Sequence, residues 1–178
     1  EYGSQAKYYL GFMAYEGDDY KKANEFFNEV AGEEKYKEKL SYFQADMSFK
    51  SGNFQKAIEL GQTAMAKSTA AEKSELNKII GESYFNLKQY DKAIPFLREY
   101  RGTKGKWSNT DYYQIGYAYY KQEDYNSAIA QFNKIIEGNF EVKYILNSVT
   151  NTIENAKLVC DLKLNDYKKI NDIRRKRN

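Results

Sequence analysis

The stretch that decides the fold runs Tyr112-Tyr113-Gln114-Ile115-Gly116-Tyr117-Ala118-Tyr119-Tyr120-Lys121-Gln122-Glu123-Asp124-Tyr125-Asn126-Ser127-Ala128-Ile129. Tyr112, Ile115, Gly116 and Tyr119 fall at spacings of 3, 4 and 7, which is one face of an α-helix. Asp124 stands where a second helix needs an N-cap, its carboxylate suited to an orphan backbone N–H. Ala128, Ile129, Phe132, Ile135 and Ile136 then give a second apolar stripe. Gly116 and Ala128 are small where the two helices would cross. A glycine inside a helix costs roughly 1 kcal/mol against alanine, so its use there marks close backbone approach.

The pattern recurs along the chain. Asp19-Tyr20-Lys21-Lys22-Ala23, Asn53-Phe54-Gln55-Lys56-Ala57, Gln89-Tyr90-Asp91-Lys92-Ala93 and Asp124-Tyr125-Asn126-Ser127-Ala128 each place an aromatic three residues before an alanine. The alanines at 23, 57, 93 and 128 are spaced by 34, 36 and 35 residues. Leu10-Gly11, Ile80-Gly81 and Ile115-Gly116 lie upstream, each glycine nine residues before the aromatic of its repeat. The second repeat departs from this, with Ala45 in the place of glycine. One hairpin cannot bury its own apolar stripe, so stacking of neighbours must supply the core.

These residues resemble the tetratricopeptide repeat: an aromatic, then an apolar residue and Gly, then Tyr, then Asp-Tyr, then Ala, in that order. The resemblance covers about residues 4–140. It implies an all-α solenoid, pairs of antiparallel helices stacked into a right-handed superhelix. Four hairpins are expected in residues 1–141, at about 4–37, 38–71, 74–107 and 109–141. Residues 142–178 are expected to form a degenerate capping hairpin with a basic tip, since terminal repeats are atypical. The predicted helices are 4–16, 19–31, 36–51, 54–68, 70–88, 91–101, 109–122, 125–137, 142–163 and 166–176. Pro95 should kink its helix, and residues 102–108 read as a loop that ends in a cap. Tyr84, Tyr90, Tyr119 and Tyr125 are the expected core aromatics.

Composition limits the chemistry. The chain of 178 residues has no His and one Cys, Cys160. The residue types on which nucleophile–base pairs and zinc sites lean are missing, and no Gly-Lys-Ser/Thr phosphate loop appears. The reading is therefore a non-catalytic protein with no cofactor and no metal. The net charge of +3 is concentrated at one end: six Lys and Arg against two Asp give residues 166–178 a net +4. The remaining chain is nearly neutral, which argues against nucleic acid as a partner. No run of 18 apolar residues is present, so no transmembrane segment is expected.

The family resemblance implies that the first helix of each hairpin lines a concave groove, and that a protein or peptide partner binds there. The inward positions are Tyr8, Phe12 and Tyr15 in the first repeat, and Tyr42, Asp46 and Phe49 in the second. They are Lys78, Glu82 and Phe85 in the third, with Asn86 beside them, and Tyr113, Tyr117 and Tyr120 in the fourth. Tyrosine offers large contact area with few torsions to freeze, plus a hydroxyl for hydrogen bonding. A clamp for acidic chaperone termini, which needs Lys and Asn in adjacent repeats, is not expected: only Lys78 fits. The alternative is a structural segment of a longer array, used in assembly or self-association. The Tyr-dense, Pro-poor style is similar to bacterial repeat proteins of the cell envelope, including outer-membrane assembly lipoproteins.

Overall fold

The computed structural model describes residues 2–135 and 160–169. In chain order the helices are α1 Tyr2–Glu16, α2 Tyr20–Val30, α3 Glu34–Lys50, α4 Phe54–Met65, α5 Ala70–Asn86, α6 Tyr90–Glu99, α7 Asn109–Lys121 and α8 Tyr125–Ile135. Residues 160–169 form a further helix. Each of α1–α8 ends within three residues of its expected bounds. Among the described residues there is no strand, only an isolated bridge between Thr103 and Lys106. The fold is all-α. Two compact units divide the chain, Glu1–Lys88 with α1–α5 and Gln89–Asn178 with α6–α8 and 160–169.

Local chemistry sets the turns. Asp19, Asn53 and Asp124 each precede a second helix, and their side-chain oxygens accept from the backbone N–H of Lys22, Lys56 and Ser127. Their own N–H groups donate back to the carbonyls of Ala14, Ser48 and Tyr119, closing the C-terminus of the first helix. One residue earlier the backbone turns left-handed, at Asp18 (φ 58°), Gly52 (φ 76°), Lys88 (φ 61°) and Glu123 (φ 61°). Glycine takes that conformation freely, whereas other residues pay roughly 1–2 kcal/mol. Capping boxes start α5, by Thr69 with Glu72, and α7, by Ser108 with Asp111. Helix α6 runs through Pro95 from Tyr90 to Glu99.

Size complementarity fixes the hairpins. Ala23, Ala57, Ala93 and Ala128 are all fully buried. Four residues after Ala23 and Ala128 come Phe27 and Phe132, at 0% and 1% exposure. Each ring lies over a glycine of the first helix. A Cβ on Gly11 would stand 2.6 Å from the Phe27 ring, and one on Gly116 would stand 2.6 Å from the Phe132 ring. The second hairpin inverts the pair: Ala45 replaces the glycine, and Gly61 replaces the phenylalanine. Gly61 instead receives Ile80 of α5, whose Cγ1 would lie 2.8 Å from an added Cβ. This explains the departure of the second repeat from the pattern. The expected core tyrosines, Tyr84, Tyr90, Tyr119 and Tyr125, are only half-buried. Their hydroxyls favour the rim, and the phenylalanines of the second helices fill the centre.

One boundary is corrected. The break expected at residues 164–165 is absent, because helix runs continuously over 160–169. Cys160, Leu164 and Tyr167 then share one helical face, and Cys160 and Leu164 are buried with Ala128 and Phe132. A turn at 164 would take Leu164 out of that cluster. The remainder of the expected capping hairpin, including the basic run 174–177, lies outside the described residues.

Candidate functional site: the aromatic stripe of the first helices

In the N-terminal unit, α1, α3 and α5 present the expected inward residues, most of them half-buried. Tyr8 stacks on Tyr36 of α3, with ring centroids 4.8 Å apart and planes 12° apart. Phe12 meets Phe43 edge-on at 5.7 Å. The Tyr15 hydroxyl donates to Asp46 Oδ2 at 2.6 Å, tying α1 to α3. Lys50 pairs with Asp46 at 2.8 Å and lies 5.0 Å over the Tyr15 ring. Phe49 lies 5.8 Å from the ring of Phe54.

The electrostatics follow from this packing. Burial, then the hydrogen bond to Asp46, pushes the Tyr15 hydroxyl far above its ordinary value. Burial, then the Asp46 carboxylate, pushes Tyr42 up to about 12. Both hydroxyls therefore stay neutral at physiological pH, and that of Tyr15 donates to Asp46.

The residues of α5 are placed less openly. Glu82 is only 8% exposed, with its carboxylate 3.9 Å from the Lys78 ammonium. Asn86 donates to the Glu82 backbone carbonyl at 2.8 Å. Glu82 thus sits in the packing rather than on an open wall. Its spacing from Lys78 (i, i+4) was visible in the sequence, but its burial was not. Lys78 and Phe85 are half-buried.

In the C-terminal unit the three tyrosines of α7 are brought together and covered. Tyr113 and Tyr117 stack at 5.8 Å, and Tyr117 and Tyr120 lie 6.1 Å apart. Tyr113 also stacks on Tyr167 at 4.3 Å with planes 11° apart. The Tyr120 hydroxyl donates to Asp161 Oδ1 at 2.6 Å. That bond, then burial, pushes the Tyr120 hydroxyl up to about 12.

Two features were not singled out from the sequence. On α1, Tyr9, Leu10 and Met13 are exposed at 55%, 45% and 68%. The residues in register with Leu10 and Met13 are buried in the fourth hairpin: Ile115 at 1% and Ala118 at 0%. In the C-terminal unit a cleft of about 610 Å³ is lined by Arg98, Arg101, Lys106 and Lys134, with Trp107 and Tyr112 as aromatic walls. Its cations come from three separated stretches of sequence, so no local motif announced it. Among the described residues, no group of His, Cys, Asp or Glu could hold a metal ion, and no helix is long and apolar enough to cross a membrane.

Comparison with known proteins agrees with this architecture. The tetratricopeptide repeat family matches residues 79–100 and 112–138. No curated protein sequence matches the chain. Among solved structures, the fold is similar to that of MamA AMB-1, with a TM-score of 0.68 and 15% identity over 93% of this chain and 92% of that one. It is also similar to the MamA RS-1 ArsTM double mutant, with a TM-score of 0.62 and 16% identity over 93% of this chain and 97% of that one. At such identity the likeness speaks for the fold alone. The helices formed and the family match agree: the chain is all-α, with tetratricopeptide repeats matched at residues 79–100 and 112–138.

Proposed function

We propose that the chain is a non-catalytic interaction scaffold that holds a protein or peptide segment along the aromatic stripe of its first helices. In this reading residues 1–141 supply four hairpins, and residues 142–178 cap the fourth. The observation that carries it is the stripe of α1 and α3. Phe12 and Phe49 are half-buried rings on these two helices, and the Asp46 carboxylate of α3 is held by Tyr15 and Lys50. Rigid rings beside an oriented charge suit a segment that offers an apolar side chain and a cation. The non-catalytic part rests on residue types: there is no His, and burial pushes the thiol of Cys160 up to about 12, too high for a nucleophile.

The test is affinity capture with the full chain and a Phe12→Ala/Phe49→Ala double variant, the retained proteins being identified by mass spectrometry. The variant is expected to lose the proteins that the parent retains; an unchanged set overturns the groove reading. A second reading, assembly with further helical hairpins, is favoured by the uncovered Leu10 and Met13. Light scattering across concentrations separates the two, because a constant monomer mass counts against self-association.

A further inference from the structure

The tyrosines of α7 already have an occupant, and its contacts repeat those made at α1. Tyr8 and Tyr113 hold the same register, three residues before Gly11 and Gly116. Tyr15 and Tyr120 likewise lie four residues after those glycines. On α1 the first tyrosine stacks on Tyr36, and the second donates to Asp46, both residues of the next hairpin's first helix. On α7 the first stacks on Tyr167, and the second donates to Asp161, both in helix 160–169. The chemistry is the same, ring on ring and hydroxyl on carboxylate. The direction is reversed: contacts ascend along α3 and descend from Tyr167 to Asp161. Helix 160–169 therefore runs antiparallel to α7, in the place that α3 takes on α1.

The helix is seated further by Cys160, whose thiol donates to the Tyr125 carbonyl at 3.6 Å, and by Leu164, 6% exposed in the cluster with Phe132. It is not a purely apolar wedge. Lys163 is 2% exposed, and its ammonium donates to Asn133 Oδ1 at 2.5 Å. Desolvation lowers the Lys163 pKa. A buried cation held, among the described residues, only by a neutral amide weakens the seat.

We propose that helix 160–169 is a built-in, displaceable occupant of a helix-accepting surface on α7, and that the partner this surface fits is an amphipathic helix presenting an aromatic ring and a carboxylate on one face. The proposal rests on reading the tyrosine stripe as a partner surface, and it adds that in the fourth hairpin the chain itself controls access. A second helix and residues 160–169 cannot hold Tyr113 and Tyr120 together.

Cys160 supplies the reporter, being the only cysteine and fully buried. The full chain is exposed to a chromogenic thiol reagent under native conditions, and global stability is followed separately by circular dichroism in urea. Labelling is expected to be faster than global unfolding allows, because the helix opens locally. Tyr120→Phe and Asp161→Ala should each raise the rate about tenfold, the worth of a hydrogen bond to a carboxylate, while the urea transition stays in place. Tyr120 lies on α7, so a faster rate in Tyr120→Phe does not come from a weaker helix 160–169. A peptide of residues 158–171 carrying Cys160→Ser should accelerate labelling of the parent chain in proportion to its concentration. Labelling that tracks global unfolding in all three chains, or that ignores the peptide, overturns the proposal. None of these readouts needs an external partner, so their failure is separable from failure of the capture experiment on α1 and α3.

Discussion

The first and fourth hairpins carry tyrosines at the same register and give them different neighbours. Tyr8 and Tyr15 meet α3, a helix running with α1, whereas Tyr113 and Tyr120 meet residues 160–169, a helix running against α7. The two points on the partner helix are ten residues apart in α3 and six apart in 160–169, or about 15 Å and about 9 Å along a helix axis. The tyrosines themselves are seven apart, about 10.5 Å. Long side chains absorb the difference. The register therefore specifies a pair of contacts rather than one partner helix or one direction. On the opposite flank the contrast is one of cover: Leu10 and Met13 are exposed in α1, and Ile115 and Ala118 are buried in α7.

The largest expected effect tests that cover. Ile115→Ala should cost about 2–5 kcal/mol, because a fully buried side chain leaves both lost transfer energy and a cavity. Leu10→Ala should stay within about 0.5 kcal/mol, as surface changes do. Urea unfolding of the two variants gives the comparison, and equal losses would show that α1 is covered in solution.

A smaller effect tests what the two hairpins share. Gly11→Ala and Gly116→Ala each gain roughly 1 kcal/mol of helix propensity. The added Cβ would stand 2.6 Å from a buried phenylalanine ring, and overpacking of this kind costs about 1–3 kcal/mol. Net destabilisation is expected at both sites. Adding Phe132→Leu to Gly116→Ala should recover part of the loss, and thermal melts of single and double variants measure that coupling.

The smallest effect separates the two tyrosine–carboxylate bonds by pH. The Tyr120 hydroxyl is raised to about 12, above the ordinary value of 10. A raised folded-state value means that its contribution is complete below pH 10 and is lost as pH climbs through about 12. Tyr15 is raised further, so the contact on α1 should survive where that on α7 is lost. Tyrosinate absorbance followed against pH should lose one tyrosine's amplitude near pH 12 in Tyr120→Phe, while Tyr42 continues to titrate there. An unchanged profile would mean that Asp161 does not hold Tyr120 in solution.

Much of this was legible in the sequence. The aromatic–Ala and Gly spacings placed the helices of residues 2–135, because a 3.6-residue period and short polar caps are local properties. The residues expected to face a partner all fall on the first helices of the hairpins. Their environments were not legible: nothing near Glu82 announces that its carboxylate is buried, and nothing near Tyr113 announces a ring 54 residues away. The inversion of Ala45 and Gly61 looked like a weak repeat, and it became intelligible only when Ile80 was seen to fill the gap.

By itself the sequence determined the all-α class, the repeat length, the caps of the second helices and the small residues at the crossings. Each depends on neighbours within a turn or two of helix, where period, capping and propensity act. Only the tertiary structure decided which half-buried tyrosines are covered and by what. The Tyr113–Tyr167 stack and the Tyr120–Asp161 bond join residues 54 and 41 positions apart. Contacts of that range depend on how helices pack, and the local pattern of either helix would serve equally well with another partner.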